Sequence, residues 1–405
     1  MRICFILPKI LPAPNGAIAG GVTNCTIGLA LALCKKGVSV DVVAPISDSA
    51  GTALATHPIF PLLNGIKSVD RSMLVRGGTA LFDLRREIKR RHLERPYDVI
   101  HIHSGSYLYG LVLASRAVQG VAKVHSIYCP IVSEDQAVIE RLGRTVLAGW
   151  AARNIDCIIG VTRNVCYSIR EAKISENKIS FIPMAVDTNE FTDSLEREQT
   201  GLFKEGKTSV RLLFVGNASI EKGLEVLIDA LGILKRKGVD FQLVAALENQ
   251  SQLHEFESRR EMIGYKVKKL GLEWNVTIAG VVNRIGDLLK ETNLLVVPFQ
   301  DVTSQRRISD YPMVLLEGMA CGKCVVSTPL RGVSEIVKNG VNGILSESFT
   351  SESLSKAMHH IIVNSDLRIS SGIAARRSIE QKYSTDTVAS QLIDLYRRFL
   401  SGRDR

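Results

Sequence analysis

The chain has 405 residues, of which 45% are hydrophobic and 23% charged, and its formal net charge is +10 at pH 7. This length predicts two or three domains, with a core large enough to need no disulfide or metal staple. The basic balance favours an anionic partner, and nucleic acid, an acidic membrane surface and a phosphorylated small molecule all fit it. No window approaches 18 consecutive apolar residues, so no transmembrane helix is expected.

Cysteine usage indicates the compartment. The eight cysteines lie mostly in apolar runs such as 2–7 and 156–161, and their spacings form no disulfide framework. A reducing compartment is therefore expected. The apolar stretch at the N-terminus is too short for a signal-peptide core. We predict a cytoplasmic protein.

In chain order, short apolar runs alternate with segments of helical periodicity. A strand is predicted at 2–7, followed by a loop rich in proline and glycine and by a helix at 22–36 that Gly37 ends. Further strands are predicted at 38–44, 98–103, 122–125 and 156–162. Strands separated by helices are typical of a parallel sheet covered on both faces.

A second series of strands is predicted at 210–215, 241–246, 276–279, 294–297 and 324–328. The polar, charge-rich stretch 187–207 between the two series is a natural linker, and a last helix is predicted at 385–400. This order predicts an α/β fold of two doubly wound parallel-sheet domains with a crevice between them.

The first candidate site is the loop that runs from Pro14 to Val22 between the first strand and the first helix. Its glycines, including Gly20 and Gly21, permit positive φ and close approach of backbone N–H groups to a ligand. The loop has neither the GxGxxG spacing nor the lysine of a phosphate-binding P-loop. A phosphate site and a plain strand-to-helix turn both fit the pattern.

The second candidate site follows the strand at 210–215. Gly216 and Asn217 lead to Glu221, Lys222 and Gly223, where a helix is expected to begin. A lysine at a helix N-terminus is unfavourable because both carry positive charge, and a bound anion would remove the conflict. The alternative is a solvated surface lysine.

The third candidate segment runs from Ser309 to Val337. A helix is predicted from Pro312 to Gly322, and Glu317 lies among its apolar residues, where an ionised carboxylate needs hydrogen-bond partners. Vicinal hydroxyls such as those of a ribose would suit it. The alternative is a helix glutamate that faces solvent.

These segments together resemble glycosyltransferase family 4. The resemblance rests on 315–322, 324–328 and 332–337, on the Gly20–Val22 turn, on 98–103, on Lys222-Gly223, and on 182–191, all in order. It implies the GT-B fold, two Rossmann-like domains facing an interdomain cleft. The implied domains are an acceptor domain at 1–190, a linker at 191–207, a nucleotide-sugar-binding domain at 208–380, and a C-terminal helix at 381–405 that packs back on the first domain.

The resemblance also implies roles for individual residues. Lys222 would offset the charge that builds on the leaving diphosphate, Glu317 would hold the ribose hydroxyls, and His125 would contact the transferred sugar. On the acceptor side it implies Gly20, Gly21 and His103, with Gly21 also near the diphosphate. The implied donor site is completed by Gly216, Asn217, Gly280, Val281, Asp310, Met313, Val314 and Leu315.

The chain departs from the family pattern at three positions. Ser309 stands where the family has the first glutamate of its E-x7-E motif, and Asp310 is one residue away. Pro312 replaces a common glycine and so removes one backbone N–H. Asn217 stands where many members carry arginine, a charge that Arg306 or Arg307 would restore. These changes bear on the donor sugar and on activity.

Two further signals have ordinary explanations. The Cys321–Cys324 CxxC pair lacks the second pair that a zinc site needs, so no metal is expected. The basic run 85–92 is either a solvated helix face or a contact with anionic lipid at the inner membrane face, because members of the family act on lipid-linked acceptors. Nucleic acid is disfavoured, because the aromatic content is only 6% and no stacking motif accompanies the charge.

The resemblance thus implies a retaining, metal-independent hexosyltransferase without a cofactor. The donor would be a UDP- or GDP-linked sugar, and the acceptor a glycan, a lipid-linked molecule or a small molecule. Two alternatives remain open: a non-catalytic nucleotide-sugar-binding subunit, which the three departures suggest, and a nucleotide-sugar epimerase.

Overall fold

The structure is a computed structural model, and it describes residues 1–8, 11–12, 18–46, 66–67, 77–107, 118–132, 138–192, 200–204, 209–247, 253–282, 285–301 and 312–401. The chain divides into two compact units, Met1–Ala185 with Tyr383–Arg405, and Val186–Lys382. Both are α/β units built on a parallel sheet, as the alternation of strands and helices predicts. No helix among these residues is both long and apolar enough to span a membrane.

The described strands of the first unit are β1 (Arg2–Ile6), β2 (Leu11–Pro12), β3 (Ile18–Ala19), β4 (Ser39–Val43), β5 (Pro45–Ile46), β6 (Ile66–Lys67), β7 (Val99–Ser104), β8 (Ala122–Ile127), β9 (Cys157–Gly160) and β10 (Ile179–Phe181). Six of them form a parallel sheet in the order β10-β9-β8-β7-β1-β4. The chain leaves β1 toward β4 on one side and later returns to β7 on the other. The winding therefore reverses between β1 and β7.

Helices cover both faces of this sheet. They are α1 (Gly21–Lys35), α2 (Gly77–Glu94), α3 (Val138–Ala152) and α4 (Arg163–Glu171). Leu84 of α2, Ala148 of α3 and Ile169 of α4 pack in one core with Ile100 and Ile102 of β7. These three helices thus share the face toward which the even-numbered residues of β7 point.

The described strands of the second unit are β11 (Val210–Gly216), β12 (Phe241–Leu247), β13 (Val276–Ala279), β14 (Leu294–Val297), β15 (Cys324–Ser327) and β16 (Ile344–Leu345). They form a parallel sheet in the order β13-β12-β11-β14-β15-β16. Counted from β11, this is the 3-2-1-4-5-6 order of dinucleotide-binding folds, in which the winding reverses between the first and fourth strands.

The described helices of the second unit are α5 (Leu224–Arg236), α6 (Leu253–Lys269), α7 (Ile285–Glu291), α8 (Met313–Ala320), α9 (Arg331–Ile336), α10 (Ser351–Val363) and α11 (Ser365–Lys382). The core includes Leu227, Leu231, Phe241 and Met358, all at most 1% exposed.

The last helix, α12 (Thr385–Ser401), belongs to the first unit. Tyr396 is fully buried there, and Lys36, just after α1, forms an ion pair with Asp386 at 2.7 Å. The Cβ of an alanine at Gly28 would lie 3.2 Å from the Thr385 side chain, so α1 and α12 are in close contact. The first unit resumes at Tyr383, two residues before this helix begins.

The described residues of the polar stretch at 187–207 are 187–192 and 200–204. The first unit ends at Ala185 instead of 190, and the described residues of this stretch pack in the second unit. Arg376 donates hydrogen bonds to the carbonyl oxygens of Thr188 and Phe191, and Phe203 is 4% exposed. A polar sequence can thus be held in a domain through its backbone carbonyls.

Candidate functional site

The second sheet brings several of the predicted donor residues to its point of reversal. Gly216 ends β11, and Pro298 follows β14, which lies beside β11. Loops that leave neighbouring strands in opposite directions open a crevice at the carboxyl ends of those strands. Gly216, Asn217 and Lys222 all lie on the loop that leaves β11.

A short 3₁₀ turn, Ile220–Lys222, carries the lysine, and α5 begins only after Gly223. Gly223 has φ of 71°, and a Cβ there would lie 1.8 Å from the carbonyl oxygen of Pro298. The backbone N–H of Gln300 also donates to the carbonyl of Glu221 at 2.8 Å. The turn is therefore fastened against the segment after β14, and only glycine fits at 223.

Lys222 ends the 3₁₀ turn and directly precedes Gly223, the N-cap residue of α5, so it lies at the start of that helix as the sequence predicts. Its Nζ lies 4.2 Å from the centroid of the Phe299 ring, which is buried. A cation over an aromatic face is stabilised by the ring quadrupole. The ring lies against the ammonium group at the carboxyl end of the sheet, and Phe299 is a residue of this candidate site that the sequence analysis missed.

Gly216 and Asn217 shape the same loop. Asn217 is 8% exposed, and its Oδ1 accepts a hydrogen bond from the backbone N–H of Ser219 at 3.0 Å. A Cβ at Gly216 would lie 3.5 Å from Cγ and Cδ of Lys222. The side chain of Asn217 thus stabilises the turn that positions Lys222, a role that asparagine commonly has.

Glu317 lies in α8 with three other predicted donor residues. Val314 and Leu315 are buried, whereas Met313 and Glu317 are half-buried. Met313 and Glu317 are four residues apart and so share one face of the helix. Only these two of the four expose a side chain for a ligand. Asp310, Ser309, Arg306 and Arg307 lie outside the described residues.

Gly280 and Val281 lie at the carboxyl end of β13. Both are exposed, Val281 at 42%. β13 is the edge strand, and β12 lies between it and β11. The structure thus places these two residues on the same edge of the sheet as Lys222 but two strands away from it.

In the first unit, Gly20 and Gly21 lie at the start of α1. Gly20 has φ of 106°, a conformation that a side chain would strain, and Gly21 is the first residue of the helix. The reversal of winding in this sheet lies between β1 and β7, and His103 is near the end of β7.

The two predicted histidines lie on opposite faces of the first sheet. His103 is paired in register with Ser126, and His125 with Ile102, so their side chains alternate across the sheet. His103 Nδ1 lies 2.8 Å from the Tyr128 hydroxyl, and His125 Nε2 lies 3.2 Å from Ser104 Oγ. The structure does not join them in one contact.

His101 is a third buried histidine in this cluster. Its Nδ1 lies 2.6 Å from the Tyr396 hydroxyl of α12, and its Nε2 lies 2.8 Å from Ser126 Oγ. Its ring centroid is 4.0 Å from that of His103. Tyr128 and Tyr396 were not predicted. Only Tyr128, which directly follows β8, has a position in the sequence that could have indicated it.

Burial keeps these histidines neutral. It lowers the pKa of His103 and of His125 from 6.5 to about 3, and nearby His125 lowers the pKa of His103 further. Burial also lowers the pKa of His101, to which His103 and His125 add. Because neutral imidazole has one N–H and one lone pair, each ring offers one donor and one acceptor.

The two discounted signals have structural explanations. Cys321 and Cys324 are both buried, and within the described part of the chain no group of three His, Cys, Asp or Glu residues could hold a metal. In the basic run, Arg90 pairs with Glu87 and Glu94, and Arg91 pairs with Glu87. The membrane contact of this run remains a prediction.

Two doubly wound parallel sheets, with a cation clamped at the reversal point of the second, define the class of nucleotide-binding α/β proteins. Sequence comparison narrows the class. Residues 196–378 match the family described as Glycosyl transferases group 1, and residues 19–190 match Glycosyltransferase Family 4. The chain belongs to the family 4 glycosyltransferases of the group 1 type, with the GT-B fold.

Known proteins resemble it over nearly their full length. The D-inositol 3-phosphate glycosyltransferase of Paenarthrobacter aurescens is 25% identical, with 96% of this chain and 95% of the relative aligned. The crystal structure of Anabaena Alr3699/HepE in complex with UDP has a TM-score of 0.75 at 19% identity, covering 98% of this chain and 99% of that one. Sucrose-phosphate synthase from Thermosynechococcus elongatus also has a TM-score of 0.75 at 19% identity, with 99% of each chain covered.

Proposed function

We propose that this chain is a retaining glycosyltransferase that moves a hexose-type sugar from a nucleoside-diphosphate donor, UDP- or GDP-linked, without a metal or cofactor. The acceptor would be a glycan, a lipid-linked molecule or a small molecule. The observation that carries the proposal is the clamped turn of Lys222. Its ammonium group is held over Phe299 at the reversal point of the second sheet.

The chemistry of this position suits a departing diphosphate. Breaking the bond between a sugar and a nucleoside diphosphate leaves negative charge on the diphosphate oxygens. A fixed cation lowers the barrier because it needs no reorganisation when that charge develops. The half-buried Glu317 carboxylate would accept hydrogen bonds from the ribose hydroxyls, and Met313 on the same helix face would lie beside it.

A solved neighbour supports the donor class. One solved neighbour is described as Anabaena Alr3699/HepE in complex with UDP-glucose, and its TM-score with this chain is 0.71. Other relatives, described as D-inositol 3-phosphate glycosyltransferases, support the transferase class. The donor proposed here is therefore UDP-linked in the first instance, with GDP as the alternative base.

The first test is binding of UDP, GDP and ADP, measured by calorimetry on Lys222→Ala and Glu317→Ala. Each variant is expected to weaken the preferred diphosphate about tenfold or more, because a charge-assisted contact of about 1.4 kcal/mol or more is lost. Lys237→Ala, at an exposed lysine after α5, is the matched control and should bind as the unmodified chain does. Unchanged affinity in both site variants would remove the proposal.

Turnover separates the alternatives. A donor panel with acceptors, followed by NMR of the anomeric proton of the product, should show retention, and EDTA should leave the rate unchanged. Conversion of a nucleotide sugar without any acceptor would indicate an epimerase. Diphosphate binding with no turnover of any donor would indicate a non-catalytic subunit, which the departures at Ser309, Pro312 and Asn217 suggest.

A further inference from the structure

One face of α3 is apolar and exposed. The opposite face packs in the core of the first unit through Ala148 and Ala152. The apolar side chains of the outer face are 43% to 86% exposed, and they are Ile139, Leu142, Val146, Leu147 and Trp150. They recur at helical spacing and so form one continuous surface. An exposed apolar surface of this kind marks a contact with another molecule.

The charged side chains of α3 leave little positive charge for an anionic membrane. Arg141 donates a hydrogen bond to Glu171 at 2.6 Å, and Arg144 donates one to Glu140 at 2.6 Å. Both arginines of the helix are therefore paired with carboxylates, and the carboxylate of Glu140 is itself exposed. A helix that lies on a membrane keeps its basic side chains available to lipid phosphates. A protein surface suits this face better.

Gly143 lies at the centre of the apolar surface. A Cβ at this position would meet no described atom within 4 Å, so the fold of the unit does not require glycine there. Glycine inside a helix lowers helix stability relative to alanine. The gap that it leaves in the surface is explained by a bulky group of another molecule that fills it.

The surface is complementary to itself. Trp150 lies about two helical turns beyond Gly143 and so points in the same direction. When two copies of α3 run antiparallel about a two-fold axis between Val146 and Leu147, Gly143 and Trp150 are equally far from the axis. The tryptophan of each copy then meets the glycine of the other, as a symmetric interface requires.

This arrangement is the packing of a knob in a hole. A side chain of one helix inserts among four residues of its neighbour at positions i, i+3, i+4 and i+7. The four residues that surround Trp150 of the other copy are Ile139, Leu142, Gly143 and Val146. Because glycine has no side chain, the hole has room for an indole ring.

The charges follow the same symmetry. Glu140 and Arg153 are both exposed, and they too are equally far from the axis, so each meets an opposite charge of the other copy. In a parallel pair each residue would lie opposite itself, which would place tryptophan against tryptophan and glutamate against glutamate. The antiparallel pair is therefore favoured by shape and by charge.

We propose that α3 is the interface of a symmetric homodimer, in which Trp150 of each copy fills the hole around Gly143 of the other. One helix face is at the lower end of interface sizes, so the dimer exchanges with the monomer. A membrane and a second copy compete for Ile139, which only the monomer exposes. The dimer does not depend on sugar transfer.

Sedimentation equilibrium of the full chain measures the dimer. Between about 1 µM and 100 µM we expect a reversible equilibrium between monomer and dimer. Trp150→Ala should raise the dissociation constant about thirtyfold or more, because a central aromatic anchor contributes much of the affinity of an interface. A chain that stays monomeric over this range, or a dimer that Trp150→Ala leaves unchanged, overturns the proposal.

Gly143→Leu tests the hole. The leucine fills it, so the dissociation constant should rise about tenfold or more, although leucine favours the helix and adds apolar surface. Gly149→Leu is the matched control and should leave the dimer unchanged. A Cβ at Gly149 also meets no described atom within 4 Å, but this residue points to the side of the surface. Circular dichroism checks that both variants fold.

The same two variants separate a second copy from a membrane. Lipid has no fixed shape, so a membrane-binding surface would gain affinity from either leucine. If both variants associate more tightly, or if both stay monomeric and bind phosphatidylglycerol vesicles more tightly, the proposal is overturned.

Charge reversal tests the antiparallel register. Glu140→Arg and Arg153→Glu should each weaken self-association about fivefold, because like charges then meet twice in the dimer. An equimolar mixture of the two variants should restore association, since opposite charges meet again at both ends of the pair. A mixture that associates no better than either variant alone would contradict the proposed pairing.

Discussion

The candidate ligand groups of the two units differ in charge. In the first, three buried histidines are neutral and bonded to serine or tyrosine hydroxyls. In the second, a lysine ammonium lies over an aromatic ring. The net charges of the two units show the reverse. Residues 186–382 contain as many Lys and Arg as Asp and Glu residues, so the net charge of +10 belongs to the first unit. The charge of a domain therefore does not indicate the charge of its site.

The largest expected effect tests how tightly the second unit clamps its lysine. Gly223→Ala would place a Cβ 1.8 Å from the Pro298 carbonyl, at a φ of 71°. We expect a loss of about 3 kcal/mol in the free energy of unfolding and of diphosphate binding, because steric overlap adds to backbone strain. Urea unfolding and calorimetry measure the two effects.

Gly238→Ala is the matched control. Gly238 has φ of 73° but nothing within 4 Å of its Cβ position. Gly238→Ala should lower the free energy of unfolding by about 1 kcal/mol through backbone strain alone and leave diphosphate binding unchanged. Equal costs at the two glycines would mean that the clamp against Pro298 does not hold the turn.

The next effect concerns the neutral histidines of the first unit. In the folded unit their pKa is lowered from 6.5, to about 3 for His103 and His125. Below pH 6.5 the unfolded chain therefore binds more protons than the folded unit. Stability is complete above pH 6.5 and falls as the pH drops toward 3, by about 1.4 kcal/mol per pH unit for each histidine. Between pH 6.5 and pH 5 the carboxylates contribute little, because their usual pKa is near 4.

Hydrogen exchange by mass spectrometry, corrected for the intrinsic rate, resolves this prediction by unit. Peptides from β7 and β8 should lose protection between pH 7 and pH 5, while those from β11 and β12 keep theirs. His103→Gln should lessen the pH dependence by about one histidine's share. Uniform loss in both sheets would show that the buried histidines do not set the acid stability.

The smallest effect concerns the net charge of the first unit. This unit exposes apolar side chains along α3, including Ile139 at 86% and Val146 at 69%. We expect weak binding of the full chain to vesicles containing phosphatidylglycerol, about 1 kcal/mol for each basic residue near the surface, and loss of binding at high salt. Co-sedimentation measures it.

Two variants sharpen the membrane prediction. Ile139→Ser should weaken vesicle binding by removing buried apolar area, and Trp274→Ser, at an exposed tryptophan of the second unit, should not. Equal binding to vesicles of phosphatidylcholine alone would contradict a role for the positive charge.

Much of this molecule was accessible from its sequence. Apart from the edge strands β10 and β16, which were not predicted, the strands of both sheets and the helix at Thr385 were predicted within two residues, because apolar periodicity and glycine turns are local signals. The family resemblance was confirmed, and so was the fold that it implied. The site roles of Lys222, Glu317 and His125 stay predictions.

Only the tertiary structure decided the contacts between residues that are far apart in the chain. Phe299 under Lys222 depends on β14 lying beside β11, and Tyr396 reaches His101 across 295 positions. His101 and His125 have different hydrogen-bond partners because the register of β7 and β8 sets the face and the hydroxyl that each ring meets. The sequence by itself determined the elements and their order, because those depend on local patterns. The state of the site depends on register and packing, which no local pattern encodes.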